Sequence, residues 1–294
     1  IAASNATLSA FSAVDADTYT VLVTPTADGA FTLNIAAGMA IDAAGNGNTI
    51  ATQAGGAYDG TAPTVSIQNV PATTNAAFTA TIQFSEAVTG FTVGDITTAN
   101  ASLSSFVAVD ADTYTVLVTP TADGAFTVNI AAGVAVDGAS NGNIIATEAS
   151  GSFDGGAPSV SILSVPATTN AAFTATIQFS EAVTGFAVGD ITASNAALSA
   201  FSAVDADTYT VLVTPTADGP FTLDVGAAVA QDSVGNDNTA ATQAGGTFDG
   251  TAPTVAIQNV PATTNAAFTA TIQFSESVTG FTLGDITTAN ASLS

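Results

Sequence analysis

The 294-residue sequence contains no Lys, Arg, His, Cys or Trp. Without His, Lys or Cys there is no imidazole base, no Schiff-base amine, no thiolate and no nitrogen–sulfur ligand set for zinc. Without Lys or Arg nothing neutralises phosphate, and 24 Asp and Glu residues give a formal charge of −24. That balance argues against nucleic acid and anionic membranes as partners. The absence of Cys excludes a disulfide framework and leaves the redox compartment open. The absence of Lys excludes Lys–Asn isopeptide cross-links. Long membrane-spanning runs are missing too: residues 155–180 hold no charge over 26 positions, but Pro166, Asn170 and many Ser and Thr interrupt them. No secretion signal or anchor pattern is visible, and Ile1 reads as an arbitrary start. A charge of one sign repels itself, and the remedy is a cation from solution.

What the sequence does contain is a repeat. Tyr19, Tyr114 and Tyr209 recur at a period of 95, as do Asp59, Asp154 and Asp249, and Phe84, Phe179 and Phe274, with no insertion between copies. The turn-rich linkers Asp59–Pro63, Asp154–Pro158 and Asp249–Pro253 each precede an alternating apolar run. They divide the chain into modules at 60–154 and 155–249, with 1–59 as the back part of one module and 250–294 as the front part of another.

Within 60–154 the apolar pattern has period two and is rich in Val, Ile, Thr and Phe, which suits strands. The pattern predicts strand A at 64–70, B at 77–84, C at 88–93, D at 102–108, E at 113–119, F at 125–130 and G at 144–153. Seven short strands in about 95 residues read as an all-β, immunoglobulin-like sandwich, repeated in an elongated tandem array. Phe78, Phe84, Phe91, Phe106, Tyr114 and Phe126 are its core candidates.

The runs FSEAVTGFTVGDI (84–96), YTVLVTPTADGAF (114–126), DGASNGN (137–143) and FDGGAP (153–158) resemble bacterial Ig-like (Big) repeats, found in tandem in large surface adhesins and other secreted proteins. The resemblance extends over every copy and departs from the usual pattern in lacking all basic residues. It implies an extracellular stalk or adhesive array at the bacterial cell surface, often stiffened by calcium.

Strand order gives the acids an address. Alternating strand directions place loops B–C, D–E and F–G at the pole where the linker enters. Glu86, Asp110, Asp112 and Asp137, with Asn141 and Asn143, therefore converge near Asp59, while Asp95 and Asp123 fall at the opposite pole. Carboxylates crowded together raise one another's pKa, and a hard cation relieves them. Calcium suits an all-oxygen donor set in irregular loops better than magnesium does. The expected ligands are Asp59, Glu86 and Asp137 at one junction and Asp154, Glu181 and Asp232 at the next. Asp249 with Glu276, and Asp42, would each need partners outside 1–294. Asp110, Asp112 and Asp123 read as turn residues.

Catalysis is disfavoured. Paired carboxylates can hydrolyse glycosides, but only across a sugar-binding cleft, and this chain has no Trp and four Tyr to build one. The Gly-bearing loop 137–143 lacks the Lys of a phosphate loop. The reading is a non-enzymatic stalk or spacer whose partners are neighbouring modules of the same chain. The alternatives are a module that grips a glycan or a host protein, and a subunit that exchanges strands with identical chains in a filament. Near-identical copies favour the spacer.

Overall fold

In the computed structural model, which describes residues 1–293, the regular secondary structure is almost wholly strand. It divides into two compact units, Ile1–Gly156 and Ala157–Ser294. In the first unit, residues 1–59 form β1 (Ala2–Ser4), β2 (Ala6–Ala13), β3 (Tyr19–Pro25), β4 (Gly29–Asn34) and β5 (Ala54–Tyr58). A full sandwich follows: β6 (Val65–Gln68), β7 (Thr73–Thr74), β8 (Phe78–Phe84), β9 (Ile96–Ala99), β10 (Ala101–Ala108), β11 (Thr113–Pro120), β12 (Gly124–Ile130) and β13 (Ala149–Phe153). One sheet runs β10–β11–β8–β6 and the other β7–β13–β12–β9. All neighbours are antiparallel except β7, which runs parallel to β13.

The period-two sequence makes this packing inevitable once the strands pair, because alternate side chains face opposite sides of a sheet. In β8, Ala80, Ile82 and Phe84 point inward while Thr79, Thr81 and Gln83 point out; in β11, Tyr114, Val116 and Val118 are the buried set. Phe84, Phe91 and Tyr114 meet edge to face at centroid distances of 5.0–5.9 Å, an arrangement aromatic quadrupoles favour. Phe126 is fully buried, and Phe78 and Phe106 pack half-buried beside the core.

Three strand expectations change. Residues 88–93 are not a strand: one bridge joins Thr89 to Val136, and Gly90 turns the chain at φ 87°. A 3-10 turn follows at Val93–Asp95, where the Asp95 carboxylate accepts the Thr92 amide at 2.8 Å. The strand beside β12 is therefore Ile96–Ala99. Strand A breaks after Gln68, where Asn69 takes φ 59°, and the chain crosses to the other sheet as β7. The last strand starts only at Ala149, because Asn143 and Ile144 are drawn into loop contacts with Ala135 and Pro63.

The second unit repeats the sandwich as β14 (Val160–Leu163), β15 (Thr168–Thr169), β16 (Phe173–Phe179), β17 (Ile191–Ser194), β18 (Ala196–Ala203), β19 (Thr208–Pro215), β20 (Gly219–Val225) and β21 (Ala244–Phe248). The sheet orders are the same. β22 (Val255–Gln258) and β23 (Thr271–Phe274) then pair as counterparts of β6 and β8. Residues 1–59 hold counterparts of β9 to β13 but not of β6 to β8, so their inner face is uncovered: Tyr19 is 55% exposed where Tyr114 is 6%.

Candidate metal centre

Loop 131–148 between β12 and β13 is organised around two buried polar residues, Asp137 and Asn143. Asp137 Oδ1 accepts the backbone amides of Ala139 and Asn141 at 2.8 and 2.9 Å, and its Oδ2 accepts Asn141 Nδ2 at 2.9 Å. Burial pushes the Asp137 carboxyl up, but the hydrogen bonds from Asn141, Ala139 and Ser140 outweigh it and hold the group below its ordinary range. Asn143 accepts the Ala135 amide and donates to the carbonyls of Ala131 and Ile144. A turn of this kind satisfies its own buried donors with side chains because no strand is there to do it.

The same loop reaches the linker. Asn141 Nδ2 donates to the Asp59 carbonyl at 3.0 Å, so Asp59 and Asp137 are held together by a neutral amide. Glu86, two residues past the end of β8, completes the group: one carboxylate oxygen from each of Asp59, Glu86 and Asp137 lies within 4.8 Å of the others. Desolvation and the negative charges of Asp59, Asp137 and Asp28 together raise the Glu86 carboxyl above its usual value. The expected trio thus does converge, from a linker, a strand end and a loop widely separated in sequence. Its donors are all oxygen and all carboxylate, which fits a hard cation such as calcium.

The other expected residues fall as follows. In the second unit Asp232 repeats Asp137: it is 5% exposed, accepts the amides of Val234, Gly235 and Asn236, and is likewise held below its ordinary range, burial opposing and Asn236 prevailing. Glu181 occupies the half-buried position of Glu86, and Asp154 that of Asp59. Asp42 also holds its loop through Asn46 and Ala44, but it is exposed. Asp249 accepts the Thr251 amide, and Glu276 is exposed. Asp110 and Asp112 lie in the β10–β11 turn, where Asp110 accepts the amides of Asp112 and Thr113, as turn acids do.

Asp123 is more than a turn residue. Its Oδ1 accepts the amide of Gly155 at 2.7 Å, fastening the linker that follows β13. Asp28 binds the Gly60 amide and the Thr61 hydroxyl in the same way, and Asp218 binds Gly250 and Thr251. The Thr61 hydroxyl and Gly60 amide keep the Asp28 carboxyl low, as Thr251 and Gly250 keep that of Asp218. Sequence reading missed this clamp. The available signal was an Asp–Gly pair a constant 32 residues before each linker Gly. A hollow lined by Leu8, Phe11, Tyr19, Ile35 and Met39 is the uncovered inner face of residues 1–59 rather than a polar cleft. Among the described residues no helix is long and apolar enough to cross a membrane.

A family profile described as bacterial Ig-like domain matches residues 1–57, 59–153, 154–247 and 249–294. No curated protein matches the chain. Among solved structures, the chain is similar to invasin, a bacterial integrin-binding protein, at 14% identity and a TM-score of 0.39, covering 83% of this chain and 50% of invasin. It is also similar to the Escherichia coli adhesin FdeC, at 13% identity and a TM-score of 0.34, covering 67% of this chain and 68% of FdeC. A third likeness is to the Yersinia pseudotuberculosis adhesin InvE, at 19% identity and a TM-score of 0.25, covering 64% of this chain and 58% of InvE. This chain therefore spans half the length of the invasin structure, and none of these likenesses bears on function.

Proposed function

The chain belongs to the bacterial Ig-like domain family, and from that premise we propose that it is a non-enzymatic spacer segment of a bacterial surface protein. Residues 60–154 and 155–249 are its complete modules, and residues 1–59 and 250–294 are parts of two more. Repetition at a fixed period of 95 supports a spacer, since near-identical copies add length rather than diverse binding surfaces. Calcium bound by Asp59, Glu86 and Asp137 ties the linker to the module it enters. The extracellular face of the cell, where calcium is plentiful, is the fitting location.

The observation that carries this reading is the convergence of the three carboxylates on one linker with no basic residue in the chain to balance them. A cation that binds only the folded state stabilises it by mass action, about 2.7 kcal/mol at a hundredfold excess over its dissociation constant. Calorimetric titration of the 294-residue chain with calcium chloride should show saturable binding, and chelation should lower the melting temperature. Glu86→Gln should weaken binding at its own site. Absence of heat on titration, with melting unchanged by chelator, would remove calcium from the proposal and leave the spacer without a metal.

A further inference from the structure

On the outer face of the β8–β11 pair, three side chains meet that serve neither the core nor the carboxylate trio. Thr113 and Gln83 stand directly opposite each other across the two strands. Thr113 Oγ1 lies 3.0 Å from the Gln83 carboxamide oxygen and 2.7 Å from Asp112 Oδ1. That same Asp112 oxygen accepts Gln83 Nε2 at 3.0 Å. One carboxylate oxygen therefore touches both a hydroxyl and the nitrogen of the amide beside it. The second sandwich repeats the arrangement: Thr208 Oγ1 is 3.0 Å from Gln178 Oε1 and 2.6 Å from Asp207 Oδ1, which accepts Gln178 Nε2 at 2.9 Å. All six side chains are half-buried.

We propose that Thr113 with Gln83, and Thr208 with Gln178, are sites of self-catalysed ester cross-linking between adjacent strands. The Asp112 carboxylate takes the proton of the Thr113 hydroxyl, and Oγ1 attacks Cδ of Gln83. As the tetrahedral intermediate collapses, the Cδ–Nε2 bond breaks and Asp112 hands its proton to the departing nitrogen, which leaves as ammonia. One C–O bond forms and one C–N bond breaks; the carboxylate is regenerated, and no oxidant or cofactor enters.

Hydroxyl nucleophiles need an adjacent base, and Asp112 is within the reach that proton transfer requires. Strand pairing supplies the rest, holding nucleophile and electrophile together so that a bimolecular reaction becomes intramolecular. Hydrogen bonds from Thr208 and Gln178 hold the Asp207 carboxyl below its usual range, so it is an ionised proton acceptor at neutral pH. The product is a covalent brace between the two central strands of a four-stranded sheet. It suits a chain that has neither Cys for disulfides nor Lys for isopeptide bonds.

Intact-mass spectrometry of the purified chain tests this directly. The expected mass is that of the sequence less two ammonia, one per triad. Pepsin digestion should release a branched peptide joining the segments that contain Gln83 and Thr113. Thr113→Val, close in shape to the native residue, should restore one ammonia, and Thr113→Val with Thr208→Val should restore both. Asp112→Asn, which removes the base, should also restore one. Succinimides at Asn46–Gly47 or Asn141–Gly142 lose ammonia as well, but they are indifferent to the Val substitutions. Full sequence mass after prolonged incubation overturns the proposal, as does an ammonia loss that is the same in the parent and in the double Val variant.

Discussion

Replacing Asp137 by Ala separates what this acid does for its loop from what it does for a cation. Three donors depend on it: the amides of Ala139 and Asn141 at 2.8 and 2.9 Å, and Asn141 Nδ2 at 2.9 Å. At 4% exposure, water cannot replace the carboxylate without the loop opening. Hydrogen bonds to a charged group contribute about 1.5–3 kcal/mol each. With partial relief as the loop relaxes, we expect a loss of about 2–4 kcal/mol from the sandwich that holds it. For a domain of this size that is a fall of roughly 10–30 °C in melting temperature. The measurement is scanning calorimetry of the 294-residue chain in excess chelator, with hydrogen exchange at β8 and β11 assigning the transition. Asp137→Asn, which keeps an acceptor for the backbone amides, should lose clearly less. Because these bonds depress the carboxyl pKa, the stabilisation is complete above the ordinary Asp value of about 3.9 and is lost as pH falls through the lower folded value. A shift below about 5 °C in chelator would refute the reasoning, and a shift seen only with calcium present would place the whole role of Asp137 in the cation.

Other outcomes follow from the same geometry. Gly151→Ala drives a Cβ into the Pro71 carbonyl and to 2.6 Å from the Phe126 ring, so the urea midpoint should fall by the equivalent of about 1–3 kcal/mol. Gly138→Ala meets nothing within 4 Å and should stay within about 0.5 kcal/mol of the parent. Asp123→Ala frees the Gly155 amide, whose hydrogen exchange should speed up roughly tenfold for a bond of about 1.4 kcal/mol. Calcium affinity, measured by calorimetry at successive pH values, should start to fall at higher pH than for an ordinary Glu site. The raised Glu86 carboxyl takes up its proton sooner as pH drops, and that proton competes with the metal.

The sequence by itself determined the all-β class, the repeat and the inward sets of β8 and β11. Alternation in FTATIQF and TYTVLVTP fixes which residues face the core, whatever the neighbouring strand is. It also brought Asp59, Glu86 and Asp137 to one pole, because alternating strand direction assigns loops to ends without any coordinates. Tertiary structure alone decided where an apolar run would not be a strand. Residues 88–93 have strand composition, but Gly90 and the Asp95 cap bend them away, and β9 takes the place beside β12. It alone decided that Asp123 grips Gly155, since that bond joins a hairpin turn to a linker 32 residues later. It alone set Thr113 opposite Gln83, with Asp112 against both. Periodicity fixes the face on which a side chain lies, but only strand register fixes its neighbour, and register is a property of two segments at once.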